Sequence, residues 1–266
     1  MSAPRDCFLA MFDVLGFKRL RKERGTSGLH QLYMRMLIPS IQHAAASRTK
    51  TITVDGQRHV VPDETSWLVG FRVFSDTIVY VTNDDTFASF LAVLTASFKL
   101  LKSGFCGSKA PFRGAIGYGD LITEPAGVLL GSAVEDAYKG EQSQAWAGCS
   151  LTPSCQAHVE QAGFLALHDQ LFAKAAEATE DTEDAATRKK LTLRRGLLVE
   201  YDIPTQHNPK SGPIQYATRR GLALDWTIQV YEGAAVKSFY PSDDAHAKVK
   251  AENTRVFEEW ARSSRR

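Results

Sequence analysis

Two aspartates lie inside long apolar runs of this sequence, Asp13 in FLAMFDVLGF and Asp76 in GFRVFSDTIVYV. Moving a carboxylate from water into a strand interior costs several kcal/mol unless a cation compensates its charge. Aspartate is also a poor strand former, so each residue needs another reason for its position. A turn cap or an ion pair with an arginine would explain either residue alone. Two carboxylates in similar settings indicate a metal site.

The ligand type predicts which metal the site would hold. Carboxylate oxygens are hard ligands that suit Mg²⁺ or Mn²⁺ better than zinc, and the short aspartate side chain fixes the ion close to the backbone. Directly after Asp13, the apolar run ends at Gly16 before a basic, helix-favouring stretch. The backbone amides of Leu15, Gly16 and Phe17 could receive phosphate oxygens there, with Gly16 allowing close approach. We therefore expect a divalent cation beside a phosphate group.

The composition is that of an ordinary globular protein. The 266 residues, 44% hydrophobic and 23% charged, are sufficient for one large core. A net charge of +2, with acids and bases interleaved, gives little support to nucleic-acid binding. The chain has no recognisable secretory signal, no apolar span of about 18 residues and no CxxC metal motif. We expect a cytoplasmic protein that binds neither nucleic acid nor membrane, with its cysteines mostly in the core: Cys7, Cys106, Cys149 and Cys155.

The elements that must position the two aspartates follow from hydrophobic periodicity and turn residues. The first half of the chain is predicted to contain a central strand over 7–17, a helix over 27–46, a hairpin around Asp55-Gly56, a second hairpin over 67–81 and a helix over 86–102. Asp76 falls at or near the turn of the second hairpin. Both carboxylates are thus expected on central strands.

The second half continues the alternation of strands and helices. It is predicted to contain a strand, turn, strand and helix over 111–146, a charged helical stretch over 164–193, strands over 196–204 and 221–231, and a closing helix over 245–262. This order favours an α+β fold of ferredoxin-like (βαββαβ) type, an antiparallel sheet with helices on one face. We expect one domain over 1–266, with a hairpin arm over 48–62 and a solvated helical insertion over 165–193 whose most charged part is 173–190.

Four segments in this order, FDVLGF, FSDTIVYV, FRGAIGYGD and GSAVEDAYKGE, resemble the class III nucleotidyl cyclase catalytic domain. The resemblance implies that Asp13, Asp76 and the backbone at Val14 hold two Mg²⁺ or Mn²⁺ ions. It also implies that Arg113 lies in the family's RxGIxxG strand. The reaction would be attack of the ribose 3′-oxygen on the α-phosphorus, in line with departing pyrophosphate, assisted by two metal ions.

The likeness is closer to the bacterial cyclases of Pycsar anti-phage systems, which make cyclic UMP or cyclic CMP. The motifs D-x-L-G-F, F-S-D, R-G-A-I and G-x-A-x-x-x-A-Y carry it, together with an N-T-x-x-F helix near the end at Asn253, Thr254 and Phe257. The resemblance implies conversion of a pyrimidine nucleoside triphosphate, UTP in preference to CTP, to a 3′,5′-cyclic nucleotide. That product would be a second messenger for a separate cyclic-nucleotide-gated effector.

Departures from the class III pattern bear on specificity and catalysis. Arg72 and Val128 stand where the family's adenine-reading Lys and Asp would be, which favours a pyrimidine base. In the helix after the third strand motif, Glu135 and Lys139 replace the family's Asn and transition-state Arg. Arg113 is the other candidate cation, although it could instead pair with a core carboxylate. The resemblance further implies a homodimer with shared active sites, for which the hairpin arm could provide contacts.

Two other classes of protein fit parts of the same pattern. A palm-type oligonucleotide synthase also uses paired aspartates, but its G-G-[DE]-[DE] hairpin is missing, and F-S-D-T with a single carboxylate stands in its place. A non-catalytic nucleotide-binding relative of the cyclases would keep the fold while Asp76 served only as a turn residue. The cyclase is the function that the sequence favours.

Overall fold

The strand that carries Asp13 lies in the middle of the main sheet. The computed structural model describes residues 3–54, 56–108, 110–124, 127–177, 196–209, 212–228, 230–239 and 243–264. The ten strands in these ranges are β1 (Arg5–Val14), β2 (Thr49–Val54), β3 (Gln57–Pro62), β4 (Gly70–Phe74), β5 (Thr77–Val81), β6 (Phe112–Thr123), β7 (Leu129–Leu130), β8 (Gly148–Leu151), β9 (Leu198–His207) and β10 (Gln215–Leu224).

Eight α-helices lie in the same described ranges. They are α1 (Phe17–Leu32), α2 (Ile38–Ala45), α3 (Phe87–Ser103), α4 (Ser132–Ser143), α5 (Pro153–Gln161), α6 (Phe164–Glu177), α7 (Ala234–Ser238) and α8 (Ala245–Ser263). A π-helical turn over Tyr33–Leu37 joins α1 to α2, and a second one over Gly104–Ser108 follows α3.

The sheet confirms the predicted ferredoxin-like core. Its strand order is β4-β5-β1-β6-β8-β10-β9, and β7 pairs with β6. The first four strands of this order pair antiparallel, with helices between β1 and β4 and between β5 and β6. That connectivity is βαββαβ. Beyond it, β8 joins β6 in parallel and β10 and β9 add an antiparallel ribbon.

Side chains alternate across β1 and so contribute to two apolar clusters. Phe8, Ala10 and Phe12 belong to the larger cluster, which contains the buried residues of α1, α2 and α3. Cys7, Leu9 and Met11 face the other side, where α4 covers the sheet. The sequence pattern predicted all helices on one face of the sheet. That prediction is wrong, because α4 lies on the opposite face from α1, α2 and α3. Asp13 follows Cys7, Leu9 and Met11 at every second position of β1, so its side chain lies on the α4 side of the sheet.

Several predicted elements differ in their bounds. The first helix begins at Phe17 rather than near 27, and Gly25 interrupts it with φ 64 and ψ 178. The last strand covers Gln215–Leu224, and residues 226–228 form a turn although their side chains are aromatic or β-branched. Strand β8 and helix α5 were not predicted. Strand β8 has four buried residues and no polar alternation, so periodicity does not reveal it.

The two predicted appendages have different outcomes. The hairpin is present as β2 and β3, and all but the last two residues of these strands are exposed. Asp55 at its tip lies outside the described residues. Of the charged insertion, α6 covers 164–177, and 178–195 lie outside the described residues. The single-domain organisation stays a prediction.

The expectation of mostly buried cysteines is confirmed, whereas the expectation of no long apolar span is wrong. Cys7, Cys149 and Cys155 are buried, but Cys106 is exposed. One helical stretch, Phe87–Gly107, is long and apolar enough to cross a membrane by length and composition. More than half of its most apolar window is buried, and Phe90, Val93 and Leu94 belong to the main cluster. This helix therefore lies in the protein core.

Candidate active site

Asp13 lies near the end of β1, where its carboxylate is partly withdrawn from water. Its side chain is 26% exposed. Across the sheet it pairs with Thr77 of β5 on one side and Arg113 of β6 on the other. Residues opposite each other in paired strands share a face, so Arg113 extends beside the Asp13 carboxylate. The sequence run that predicted a buried aspartate therefore does place it inside the sheet.

Asp76 belongs to the two-residue turn between β4 and β5. Ser75, the other residue of that turn, has φ 55, a left-handed conformation that is uncommon outside glycine. The Asp76 carbonyl accepts a hydrogen bond from the Val14 amide at 3.1 Å. The turn is therefore attached to the strand end that follows Asp13, and both carboxylates line the same cavity.

Tyr33 holds the turn formed by Ser75 and Asp76 through a hydrogen bond. Its hydroxyl donates to the Ser75 carbonyl at 2.6 Å. The pKa of Tyr33 is raised to about 12, mainly by burial and also by the nearby carboxylates of Asp76 and Asp13. The phenol stays protonated and remains a donor at neutral pH. Tyr33 begins the π-helical turn between α1 and α2, and such turns are frequent at functional sites.

The cavity above the two carboxylates has a volume of about 440 Å³. Four parts of the chain form its wall. They are residues 13–19 of β1 and α1, the turn residue Asp76, Pro111 just before β6, and the C-terminal residues Phe239, Asp244, His246, Ala247 and Lys250. Their side chains combine three carboxylates with lysine, arginine and histidine groups, as a site for a phosphate anion and its cation would.

A buried ion pair lies beneath this cavity. Arg113 is 4% exposed, and it contacts Glu141 through Nε and Nη2, both at 2.6 Å. Its Nη1 donates to the Gln144 carbonyl at 3.2 Å, which leaves a longer contact of 3.6 Å from Nη2 to Asp13. The guanidinium is committed to Glu141 first and compensates Asp13 only in part.

Negative charge is therefore in excess at Asp13. The pKa of Asp13 is raised to about 7, first by burial and then by the nearby Glu141 and Asp76, whereas Arg113 and Lys250 act to lower it. Burial likewise raises the pKa of Glu141, against the effect of Arg113. A divalent cation beside Asp13 would stabilise the ionised form by several kcal/mol. The donor set fits Mg²⁺ or Mn²⁺.

The residues that would hold such a cation are Asp13 and Asp76, together with the backbone at Val14. Within the described ranges, no group of three or more His, Cys, Asp or Glu side chains is arranged to hold a metal. Two carboxylates alone leave most positions of an octahedral ion to water and to substrate oxygens. That pattern is usual where the metal is bound together with a nucleotide phosphate.

The junction between β1 and α1 could bind phosphate, although not through all three predicted amides. The Leu15 amide donates to the Pro111 carbonyl at 2.9 Å, so its predicted role as a phosphate donor is wrong. Gly16 is the N-cap of α1, has φ 81 and provides no side-chain cap. The first-turn amides of a helix have no carbonyl partner within the helix, so Gly16 and Phe17 remain the candidates.

Gly16 is needed for its conformation. A Cβ atom at this position would meet nothing within 4 Å, but φ 81 is strained for other residues. The sequence analysis explained Gly16 by close approach of a ligand. The residues packed around Gly16 give no separate reason for a glycine at this position. The left-handed turn instead directs the chain from the strand into the helix.

Four of the predicted site residues lie away from this cavity. Arg72, Val128, Glu135 and Lys139 are exposed and are not among its lining residues. Lys139 Nζ pairs with Glu135 Oε2 at 3.1 Å on the outer surface of α4. Arg72 faces the α4 side of the sheet, because it pairs with Val79 of the second cluster. One chain therefore brings together the metal and phosphate candidates and Arg113, but not Lys139 or the base-reading candidates.

Sequence reasoning missed the contribution of α8. Lys250 lines the cavity, and its pKa is lowered to about 8 by burial and by Arg113, while Asp13 and Glu141 act in the other direction. A sequence signal was present, because Lys250 shares a helical face with the buried residues Thr254 and Phe257. A lysine on the apolar face of a helix needs a reason, as a buried aspartate does. Tyr33 had no comparable signal.

The comparisons with known proteins add fold-level similarity only. No protein-family model and no curated protein matches this chain. Among solved structures, the catalytic core of a rhodopsin-guanylyl cyclase with converted specificity, in complex with ATPalphaS, aligns with a TM-score of 0.38 and 12% identity, covering 59% of this chain and 83% of that one. The guanylyl cyclase Cya2 aligns with a TM-score of 0.35 and 8% identity, covering 84% and 91%.

A third structure is a class III adenylyl cyclase-like ATP-binding protein from Pseudomonas aeruginosa. It aligns with a TM-score of 0.35 and 10% identity, covering 58% of this chain and 34% of that one. Similarity at this level does not by itself indicate a shared activity. The functional argument therefore depends on the site.

Proposed function

We propose that this protein is a nucleotidyl cyclase, which converts a nucleoside triphosphate to a 3′,5′-cyclic nucleotide and pyrophosphate. The observation that carries the proposal is the placement of Asp13 and Asp76 at one cavity, next to the N-terminus of α1. Two sheet carboxylates supply the ligands for a divalent cation, and the helix N-terminus supplies amides for phosphate. The sequence resemblance to class III cyclases supports the same reaction.

The chain's own residues have separate tasks in this reaction. Bound divalent ions would lower the pKa of the ribose 3′-hydroxyl and neutralise charge on the triphosphate. Asp13 and Asp76 hold these ions at the floor of the cavity, and the amides of Gly16 and Phe17 orient the phosphates. Arg113 acts as a positioning residue, since it contacts Asp13 from inside the sheet. Tyr33 fixes the turn that presents Asp76.

We further propose that two chains share each active site in a homodimer. Exposed apolar side chains lie on the α4 side of the sheet, with Phe74 82% exposed and Tyr138 of α4 53% exposed. A second chain would cover them and bring its Lys139 to the phosphates of the first chain's site. The hairpin β2–β3 also exposes apolar residues, including Val60, and is a candidate dimer arm.

The proposed substrate is a pyrimidine nucleoside triphosphate, with UTP preferred over CTP. The base would be read by Arg72, Val128 and Glu135 of the partner chain. An arginine supplies donors for the carbonyl and ring-nitrogen acceptors of a pyrimidine, and Val128 offers no acceptor to an adenine amino group. In the cell, the cyclic pyrimidine nucleotide would be a second messenger of anti-phage defence that acts on a separate gated effector.

The direct test incubates the purified protein with ATP, GTP, CTP or UTP in Mn²⁺ and identifies products by mass spectrometry. We expect 3′,5′-cyclic UMP as the main product, and none from the Asp76→Asn variant. The surface variant Asp202→Asn is the matched control and should retain activity. A cyclic purine nucleotide would overturn the assignment of the base. Nucleotide binding in Mn²⁺ without any product would favour the non-catalytic alternative.

A further inference from the structure

Helix α8 closes one side of the cavity with residues of the same chain. The buried face of this helix runs through Thr254, Phe257 and Ala261, and Lys250 continues it toward the helix N-terminus. The helix is fixed against the sheet, since the Thr254 hydroxyl accepts a hydrogen bond from the Ala147 amide at 2.8 Å. The Asn253 side chain also donates to the Ala145 carbonyl at 2.8 Å. The Lys250 stem is thereby held at the cavity wall.

The Lys250 ammonium has acids nearby but no direct partner. Asp13, Glu141 and Asp244 are close enough to act on it electrostatically. In the part of the chain that the structure describes, no acceptor forms a hydrogen bond or an ion pair with Lys250 Nζ. A half-buried ammonium needs such partners, because it has given up part of its hydration. Its three donors are available to a ligand in the cavity.

Two arginines near the site are less available, and Lys18, which also lines the cavity, is exposed to solvent. Arg113 is buried beneath the cavity and is committed to Glu141 and the Gln144 carbonyl. Arg19 lines the cavity, but it pairs with Glu23 at 2.5 Å on the surface of α1. Among the cavity-lining cations, Lys250 therefore combines partial burial, nearness to Asp13 and an ammonium that has no ion-pair partner among the described residues.

We propose that Lys250 contacts the phosphate oxygens of the nucleoside triphosphate, as a binding and catalytic cation supplied by the same chain as Asp13 and Asp76. This rests on the proposed function and deepens it. In the reaction, the bond from the ribose O3′ to the α-phosphorus forms as the bond from the α-phosphorus to the bridging oxygen breaks. The electron pair leaves with pyrophosphate, and the 3′-hydroxyl proton passes to water. Lys250 neutralises negative charge that grows on the phosphate oxygens.

The test compares three variants. Lys250→Met keeps the length and apolar stem of the side chain but removes the charge, and Lys250→Arg keeps the charge. Lys248→Met is the matched control, since Lys248 lies on the same helix, is exposed and does not line the cavity. Lys250→Gln serves as a second neutral variant if methionine impairs folding. Thermal unfolding checks that each variant folds.

Two readouts separate this proposal from the proposed function. The first is the affinity of inorganic tripolyphosphate in Mg²⁺, measured by calorimetry, which needs no turnover. We expect a loss of about 10- to 100-fold in Lys250→Met, typical of a charged hydrogen bond, with Lys250→Arg within about fivefold of wild type. The second is kcat/KM with the nucleotide that wild type converts, which should fall by at least as much.

The outcomes discriminate between binding and mere charge compensation. If Lys250 only balances Asp13 and Glu141, Lys250→Met will change thermal stability and leave tripolyphosphate affinity at the wild-type value. That result overturns the proposal, as does an equal loss in Lys248→Met. If wild type forms no product from any nucleotide, the cyclase function fails, while a tripolyphosphate affinity that depends on Lys250 still supports the phosphate contact.

Discussion

Replacing Asp13 by asparagine should make the metal-free protein more stable at neutral and alkaline pH. The carboxylate is largely buried and only partly compensated by Arg113, so its pKa is raised from 3.8 to about 7. Between these two pH values the folded protein holds a proton that the unfolded chain has lost. Its stability therefore falls as the pH rises through this window, and the loss is complete above the folded pKa.

The structure sets the size of the effect. The difference between 3.8 and about 7 corresponds to about 4 kcal/mol, an upper estimate because a quarter of the side chain remains exposed. We expect Asp13→Asn to exceed wild type by about 2–4 kcal/mol above pH 7 and to match it near pH 4. For a chain of this size, that is a rise in Tm of about 4–8 °C.

The assay is thermal unfolding in EDTA across pH 4 to 8.5, with Asp202→Asn as the control on an exposed aspartate. The control should stay within about 0.5 kcal/mol of wild type at every pH. Adding Mn²⁺ should then stabilise wild type and not Asp13→Asn. The difference in Tm between the two proteins would therefore become smaller or change sign. A Tm difference that does not change with pH would refute the charge argument. Equal stabilisation of both proteins by Mn²⁺ would refute the metal assignment.

Three further results are expected. Tyr33→Phe, which loses the hydrogen bond to the turn before Asp76, should lower kcat about tenfold while stability falls by about 1 kcal/mol, and an unchanged kcat would contradict a positioning role. Arg113→Met should destabilise the protein by about 3–5 kcal/mol in urea unfolding, because it leaves buried carboxylates unpaired; stability within 1 kcal/mol of wild type would show that the pair is not needed. Mixed Asp76→Asn and Arg72→Ala chains should regain activity that neither parent has; activity that stays at the parents' level would rule out shared sites.

The sequence predicted the core of the fold well because its patterns are local. The second hairpin turned at Ser75 and Asp76 as expected, and α3 and α8 began and ended within a residue or two of their predicted bounds. Errors arose where tertiary packing overrides local preference. Helix α1 begins at Phe17, well before its predicted start, although Gly25 kinks it, and residues 226–228 form a turn instead of strand.

The sequence alone determined that Asp13 needs compensation, because the cost of burying a carboxylate depends on the apolar residues around it in the chain. It also determined that Asp13 lies on a strand and Asp76 at the turn of a hairpin. Only the tertiary structure decided how the positive charge of Arg113 is shared between Asp13 and Glu141. Arg113 is drawn toward Glu141 on a helix that is 28 positions away in sequence, and Asp13 keeps an excess of negative charge.

The tertiary structure also decided which cations face the cavity. Lys139 and Lys250 are both helical lysines with acids nearby in sequence, yet one is exposed on α4 and the other lies against the carboxylates. Their roles depend on which helix face meets the sheet. That choice is made by contacts between residues far apart in the chain, such as the bond from Ala147 to Thr254, and no local pattern encodes them.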